Sequence, residues 1–274
     1  MPDSRHIKHS HRRIGFSYPT SLSQRLYSAI ILPLLFIVIS LIIFKFFSVL
    51  PIHEFQEVSF QNIFLALVTT FSRLLFAYLL SLVFAVPLAI LVSSSSRIER
   101  LLLPLVDIAQ SIPVLAFFPV VVLLFIKFGF LNGAAIFILF LTMIWSIVFT
   151  VIGGITVIPS DIKEVARVFG IKRFSYFRKV ILPAVVPHII TGSLLAWAAG
   201  WNIIIVAEAI HSYVPNASPS QDLFGIGSLL VNSAASGRND IFLASIIIMI
   251  LGIAFLNFFV WQKLLHYGEK YKFE

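Results

Sequence analysis

The sequence predicts an all-α, polytopic membrane protein with six transmembrane helices and both termini in the cytoplasm. Composition is the first ground: hydrophobic residues make up 59% of 274 and charged residues 12%, too few polar groups to solvate the surface of a soluble domain. Length is the second, because several apolar runs reach the ~20 residues that a helix needs to cross a ~30 Å hydrocarbon core. Helices satisfy their own backbone in lipid, and the sequence lacks the alternating strands of an outer-membrane barrel. The third ground is the placement of Lys and Arg, which fixes orientation once the elements are laid out.

Residues 1–25 form a polar tail carrying Arg5, Lys8, Arg12, Arg13 and Arg25. Residues 26–58 hold the first span, about 26–47, and a loop without Lys or Arg. The first apolar run is too long for a signal-peptide core and lacks a small-x-small cleavage site, so it is expected to stay as a span. Residues 59–265 form a core of five further spans. Its first apolar run, about 63–92, exceeds what a membrane needs, so its start is expected to project. A turn at 93–100 carries Arg97 and Arg100. The next run, 101–126, is interrupted by Pro104, Pro113 and Pro119, each of which bends or ends a helix. Further spans are expected over about 131–151, 184–210 and 241–262, with a polar loop at 211–240 and a cytoplasmic tail at 266–274.

Sixteen of the twenty Lys and Arg fall in the N-terminal tail, the 93–100 turn, the 152–183 segment and the C-terminal tail, against two, Lys127 and Arg238, in the alternate loops. Positive charge collects on the cytoplasmic side, so the count places both termini there. The net charge of +8 thereby belongs to loops facing a membrane, not to nucleic acid. The absence of cysteine excludes thiol chemistry and Cys-ligated metals, and His53-Glu54 lacks the second His of a zinc-binding pattern. No metal site is expected.

The most informative stretch is Pro159 to Pro183, a basic interruption between apolar runs. Ser160 or Asp161 caps a short helix whose Ile162, Val165, Ala166 and Phe169 form one apolar stripe. Lys163, Glu164 and Arg167 take the opposite face, and Gly170 supplies the left-handed stop. A second short helix is expected over 175–181, ending at Leu182-Pro183. From pattern alone the amphipathic helix suits either a groove on a partner protein or the lipid surface.

Glu164-Val165-Ala166, three residues, Gly170, nine residues and Val180-Ile181-Leu182-Pro183 resemble the EAA loop of the permease subunits of bacterial ABC importers, whose pattern is Glu-Ala-Ala, three residues, Gly, nine residues, Ile-x-Leu-Pro. The chain departs from it at Val165 and Val180. Gln110-Ser111-Ile112-Pro113 with Phe117-Phe118-Pro119, and Trp201 through Ala207-Glu208, are similar to the nitrate/sulfonate/taurine branch. The resemblance covers about residues 60–265. It implies a type I ABC importer permease-like fold and a coupling segment, 159–183, resting in a cleft of a separate ATPase. The docking positions so implied are Asp161, Glu164, Val165, Ala166, Arg167, Phe169, Gly170, Leu182 and Pro183.

The implied partners are ABC ATPase subunits, a second permease copy (identical or homologous), an extracytoplasmic solute-binding protein and the lipid membrane. The implied solute is a small anion such as nitrate, a sulfonate or taurine, or bicarbonate. No GxxxxGK[ST] occurs in the chain, so it carries no phosphate-cradling loop of its own. ATP and Mg would sit on the partner ATPases, and the chain itself would bind no cofactor and be no enzyme. A secondary transporter or channel is the alternative; against it, the chain shows no inverted repeat and few intramembrane carboxylates.

Candidate path residues are Arg73, Gln110, Ser111, Pro113, Trp201, Asn202 and Glu208. Ionisable groups within spans are costly and mark cavities or partners, so Arg73 and Glu208 either pair near an outer gate or reach headgroups and water separately. Gly192, Ala196 and Gly200 recur every fourth residue and bring a helix close, within the chain or across a dimer. The 211–240 loop, with Gly225, Gly227 and Ser228, is either a re-entrant helix or a plain polar loop.

Overall fold

The computed structural model describes residues 60–171, 173–212, 214 and 218–271. The tail at 1–25, the first span at 26–47 and the loop that follows it lie outside the described residues. The described chain is helical. Helix α1 (Phe60–Val92) leads through a turn into α2 (Ser96–Ser111) and α3 (Val114–Lys127), and α4 is Leu131–Thr156. The short α5 (Ser160–Val168) and α6 (Arg173–Tyr176) precede a π-helical turn at Phe177–Ile181, which runs into α7 (Leu182–Glu208). Helix α8 (Ile226–Ala235) and α9 (Asn239–Leu256) follow, then a second π turn at Asn257–Trp261 and α10 (Gln262–Glu269).

Four of these stretches are long and apolar enough to cross a membrane, and a fifth crossing is available if α2 and α3 count as one broken span. The break lies at Ile112-Pro113, where the two helix axes turn by 79°. Pro113 disfavours the helical conformation for the residue before it, and Ile112 sits at φ −75°, ψ 124°. Pro104 and Pro119, expected to interrupt the same run, instead lie inside α2 and α3.

The centre of the core is the packing of α1, α4 and α7. Helix α1 buries a stripe of mostly small residues, Ala66, Thr70, Leu74, Ala77, Ser81, Ala85 and Ala89, so its backbone lies close to its neighbours. On α7 the buried stripe includes Gly192, Ala196 and Gly200. A methyl added at Gly192 would meet Thr150 Oγ1, the Ile147 Cα and the Ser146 carbonyl, and one at Gly200 would meet Met143 and Leu74. The small residue at every fourth position therefore closes the seam with α4 and α1 inside this chain, the first of the two readings open from the sequence. Lipid offers no hydrophobic gain between helices, so close van der Waals approach through small residues drives their association.

Two expected boundaries are corrected. The basic segment does not end in a separate helix at Leu182-Pro183: the π turn joins α6 to α7 without a break, and Pro183 follows directly after that turn inside the continuous helix. The last helix does not end near 262 but continues to Glu269. Its π turn places Trp261 inward, 6.2 Å from Trp197 and 6.4 Å from Tyr78 by ring centroids.

The glycines of α4 and α7 allow a paired test. Gly192→Ala should lower the thermal unfolding temperature in detergent, because the added methyl has nowhere to go and overpacking typically costs ~1–3 kcal/mol. Gly153→Ala, with nothing within 4 Å of its added methyl, should leave that temperature unchanged or raise it.

Candidate functional site

Two regions at opposite ends of the α4–α7 pair hold the candidate residues. At the end where α4 stops, α5 begins with Ser160 and carries Asp161 in its first turn, a favourable place for negative charge. Gly170 adopts φ 61°, and the Ile171 amide donates to the Ala166 carbonyl at 3.0 Å, closing the helix as a Schellman motif. Only a residue without a Cβ takes this backbone angle cheaply.

The apolar stripe of α5 divides in the structure. Ala166 is packed inward, at 4% exposure, whereas Val165, Val168 and Phe169 stand at 53%, 84% and 77%. Three apolar side chains on two turns are thus left uncovered by the described residues. Glu164 is exposed beside them, and Arg167 lies on the same helix. Leu182 is partly exposed at the start of α7, and Pro183 follows it.

At the other end, α7 finishes on Glu208, whose side chain has 0% exposure. Three donors converge on its carboxylate. Arg73 Nη1 of α1 donates to Oε1 at 2.6 Å, the Thr70 hydroxyl lies at 2.8 and 3.0 Å from Oε1 and Oε2, and the Gly227 amide donates to Oε2 at 2.8 Å. Thr70 Oγ1 in turn accepts the Ile226 amide at 2.9 Å. Arg73 Nε donates to Asn132 Oδ1, in the first turn of α4, at 2.8 Å. A carboxylate taken out of water needs such a shell, because an unpaired buried charge is very costly.

Gly225 and Gly227 let the chain pass close to this carboxylate. A methyl at Gly225 would collide with all of the Glu208 head group, and one at Gly227 would meet the backbone of Ile204 and Ile205. A second buried carboxylate ties the rest of the loop. Asp222 accepts from the His211 amide at 2.9 Å and from Asn232 Nδ2 at 3.0 Å, and pairs with His211 Nδ1 at 2.7 Å. The stretch after α7 is therefore neither a plain polar loop nor a free one: it leads into α8, which is buried along Ile226, Gly227, Ser228, Leu230 and Ser233.

Of the sequence-derived path residues, the structure brings Arg73 and Glu208 into direct contact. Gln110, Ser111 and Pro113 are exposed at the α2–α3 break, where Ser111 Oγ donates to the Asp107 carbonyl. Trp201 is half-buried, and Asn202 is exposed with its amide turned back to the Ala198 carbonyl. Among the described residues no hydrogen bond or ion pair links these five to the Arg73–Glu208 pair. Sequence reasoning missed Thr70, Asn132 and the backbone amides of 226 and 227. The signals were a hydroxyl on the small-residue stripe of α1 and the Gly-x-Gly at 225–227.

Residues 77–262 match the family described as binding-protein-dependent transport system inner membrane component. The nitrate import permease protein NrtB of Leptolyngbya laminosa is 32% identical over 194 residues, covering 70% of this chain and 65% of the relative. The bicarbonate transport system permease protein CmpB of Synechococcus elongatus is 28% identical over 204 residues, covering 74% and 69%. The taurine transport system permease protein TauC of Escherichia coli is 24% identical over 190 residues, covering 69% and 64%. The chain thus spans about two thirds of the length of the curated relatives it matches. Its fold is similar to a chain of the MetNI methionine ABC transporter in an inward-facing conformation, with TM-score 0.63, 16% identity, and coverage of 76% of this chain and 97% of that one.

The carboxylate shell makes a non-additive mutant pair. Arg73→Ala and Glu208→Ala should each lower the detergent unfolding temperature, since orphaning one partner of a buried pair costs ~3–5 kcal/mol. The double variant should lose less than the two single losses added together, read in a double-mutant cycle.

Proposed function

The chain belongs to the binding-protein-dependent transport system inner membrane component family, and on that premise we propose that it is the membrane-spanning subunit of an ATP-binding-cassette importer. In this reading it crosses the membrane six times with both termini in the cytoplasm: the described helices offer up to five crossings, counting α2 and α3 as one, and the apolar sequence at 26–47 supplies the sixth. The bias of sixteen basic residues against two supports the orientation. The 159–183 segment then faces the cytoplasm, and the Glu208 end faces outward.

The observation that carries this reading is α5, a short helix closed by a left-handed Gly170 and presenting Val165, Val168 and Phe169 uncovered. Such a face suits insertion into a groove of a partner, and family membership favours a partner ATPase over the lipid surface. Asp161, Glu164, Ala166 and Arg167 lie on that helix; Leu182 and Pro183 are at the entry to α7. The rigid run from the π turn into α7 carries movement of the docked helix up the α4–α7 seam. The sequence has no phosphate-cradling loop, so ATP and Mg are held by the partner subunits.

A second permease copy completes the path, and an extracytoplasmic solute-binding protein delivers the solute. Gln110, Ser111 and Pro113 at the proline break, and Trp201, Asn202, Arg73 and Glu208 towards the outer end, line or border it. The relatives named for nitrate, bicarbonate and taurine support a small anionic or sulfonate-bearing solute. Family membership also favours an importer over a secondary transporter or channel.

Co-purification of the ATPase subunit tests docking. The wild-type chain should retain it, while Val165→Asp with Phe169→Asp, or Gly170→Asp, should cut retention at least about tenfold, as expected when a charge is forced into a desolvated contact. Solute uptake into vesicles that continues without any ATPase subunit would overturn the reading.

A further inference from the structure

Helix α8 is held differently at its two ends. Its C-terminal end is closed by its own chain: Gly237 adopts φ 68°, the Arg238 amide donates to the Ser233 carbonyl at 2.9 Å, and the Gly237 amide to the Ala234 carbonyl at 3.3 Å. Its first two amides are satisfied by side chains from other helices. The Ile226 amide goes to Thr70 of α1 and the Gly227 amide to Glu208 of α7. An N-terminal helix amide has no acceptor within its own helix, so in this buried setting α8 depends on these two groups. They also depend on each other, because the one Thr70 hydroxyl both donates to Glu208 and accepts from Ile226.

Arg73 fastens the same carboxylate to α4 through Asn132. Three spans and the start of α8 therefore meet at one hydroxyl and one carboxylate. We propose that Thr70 and Glu208 are positioning residues that latch α8 by its N-terminal end, so that releasing the latch swings α8 about its self-closed C-terminal end and opens the outer end of the path. The opening of a path rests on the transport reading above; the latch itself does not.

The absence of cysteine makes the latch directly readable. Ser228→Cys places a near-isosteric reporter in the first turn of α8, away from the C-terminal pivot, at a site that is buried while the latch holds. Thr70→Val keeps the side-chain shape and removes the hydroxyl. It should speed labelling of Cys at 228 by a membrane-impermeant maleimide at least about tenfold, the scale of a lost buried hydrogen bond, and Thr70→Ser should restore protection. Gly225→Ala attacks the latch from the loop side by pressing a methyl on the Glu208 carboxylate, at a φ of −179° that alanine adopts freely; it should have the same effect without touching α1.

Both variants should also raise the concentration of solute-binding protein needed for half-maximal uptake several-fold while retaining the ATPase subunit as the wild type does. A merely structural defect would lower retention as well. Slow labelling in both Thr70→Val and Gly225→Ala overturns the latch, and faster labelling with an unchanged requirement for binding protein overturns its role in opening the path. If the wild-type chain shows no binding-protein-dependent uptake at all, the transport reading fails, and the labelling result still decides the latch.

Discussion

A carboxylate with no access to water must find its donors within the protein, and that requirement shapes the Glu208 end of this chain. Thr70, Arg73 and the Gly227 amide come from α1 and from the start of α8, while Glu208 itself closes α7. Arg73 extends the tie to the first turn of α4. Without that shell the penalty of burying the charge would exceed any packing gain nearby. With it, four separate stretches of the chain share one fixed point. The Gly-x-Gly at 225–227 follows from the same requirement, since only glycines let the backbone pass this close to the head group.

The α4–α7 seam supplies what an ionic tie cannot, which is rigidity along the length of the spans. Gly192 and Gly200 let the helix backbones approach where side chains would hold them apart. The seam then links the carboxylate shell at one end with the basic α5 segment at the other. Between them, Trp197, Tyr78 and Trp261 fill the contact of α1, α7 and the last span with aromatic rings.

Much of this was legible in the sequence, for reasons that can be named residue by residue. The spans follow from apolar length, and the stop at Gly170 from its place after an amphipathic turn. The break at Pro113 was legible as one of three candidates, but composition does not tell a proline that ends a helix from Pro104 and Pro119, which sit within one. The proximity of Arg73 and Glu208 was one of two open readings, because both are ionisable groups within spans. Thr70 was not legible, since a hydroxyl on a small-residue stripe looks like any other packing position. Helix α8 was left open because its first amide is satisfied by a side chain 156 residues away and its second by the carboxylate that ends the preceding span. The π turn at Asn257–Trp261 left no signal, as it inserts a residue without a Gly or Pro to mark it, and Pro183 beside the other turn reads equally well as the end of a helix.

Those π turns have a consequence for how the faces of the helices are set. An extra residue in one turn advances the helix by about 100° around its axis while leaving the chain continuous. At Asn257–Trp261 the residues before and after the turn therefore keep independent phases. The apolar α9 keeps its own register, while Trp261 is rotated inward and Gln262, His266 and Glu269 are carried round to the groove beside Pro187, Ile190 and Thr191. The turn at Phe177–Ile181 does the same between the basic segment and α7. Each acts as a phase offset built into a continuous rod: loss of a single residue there would leave the helix intact and turn everything beyond it to face the wrong neighbour.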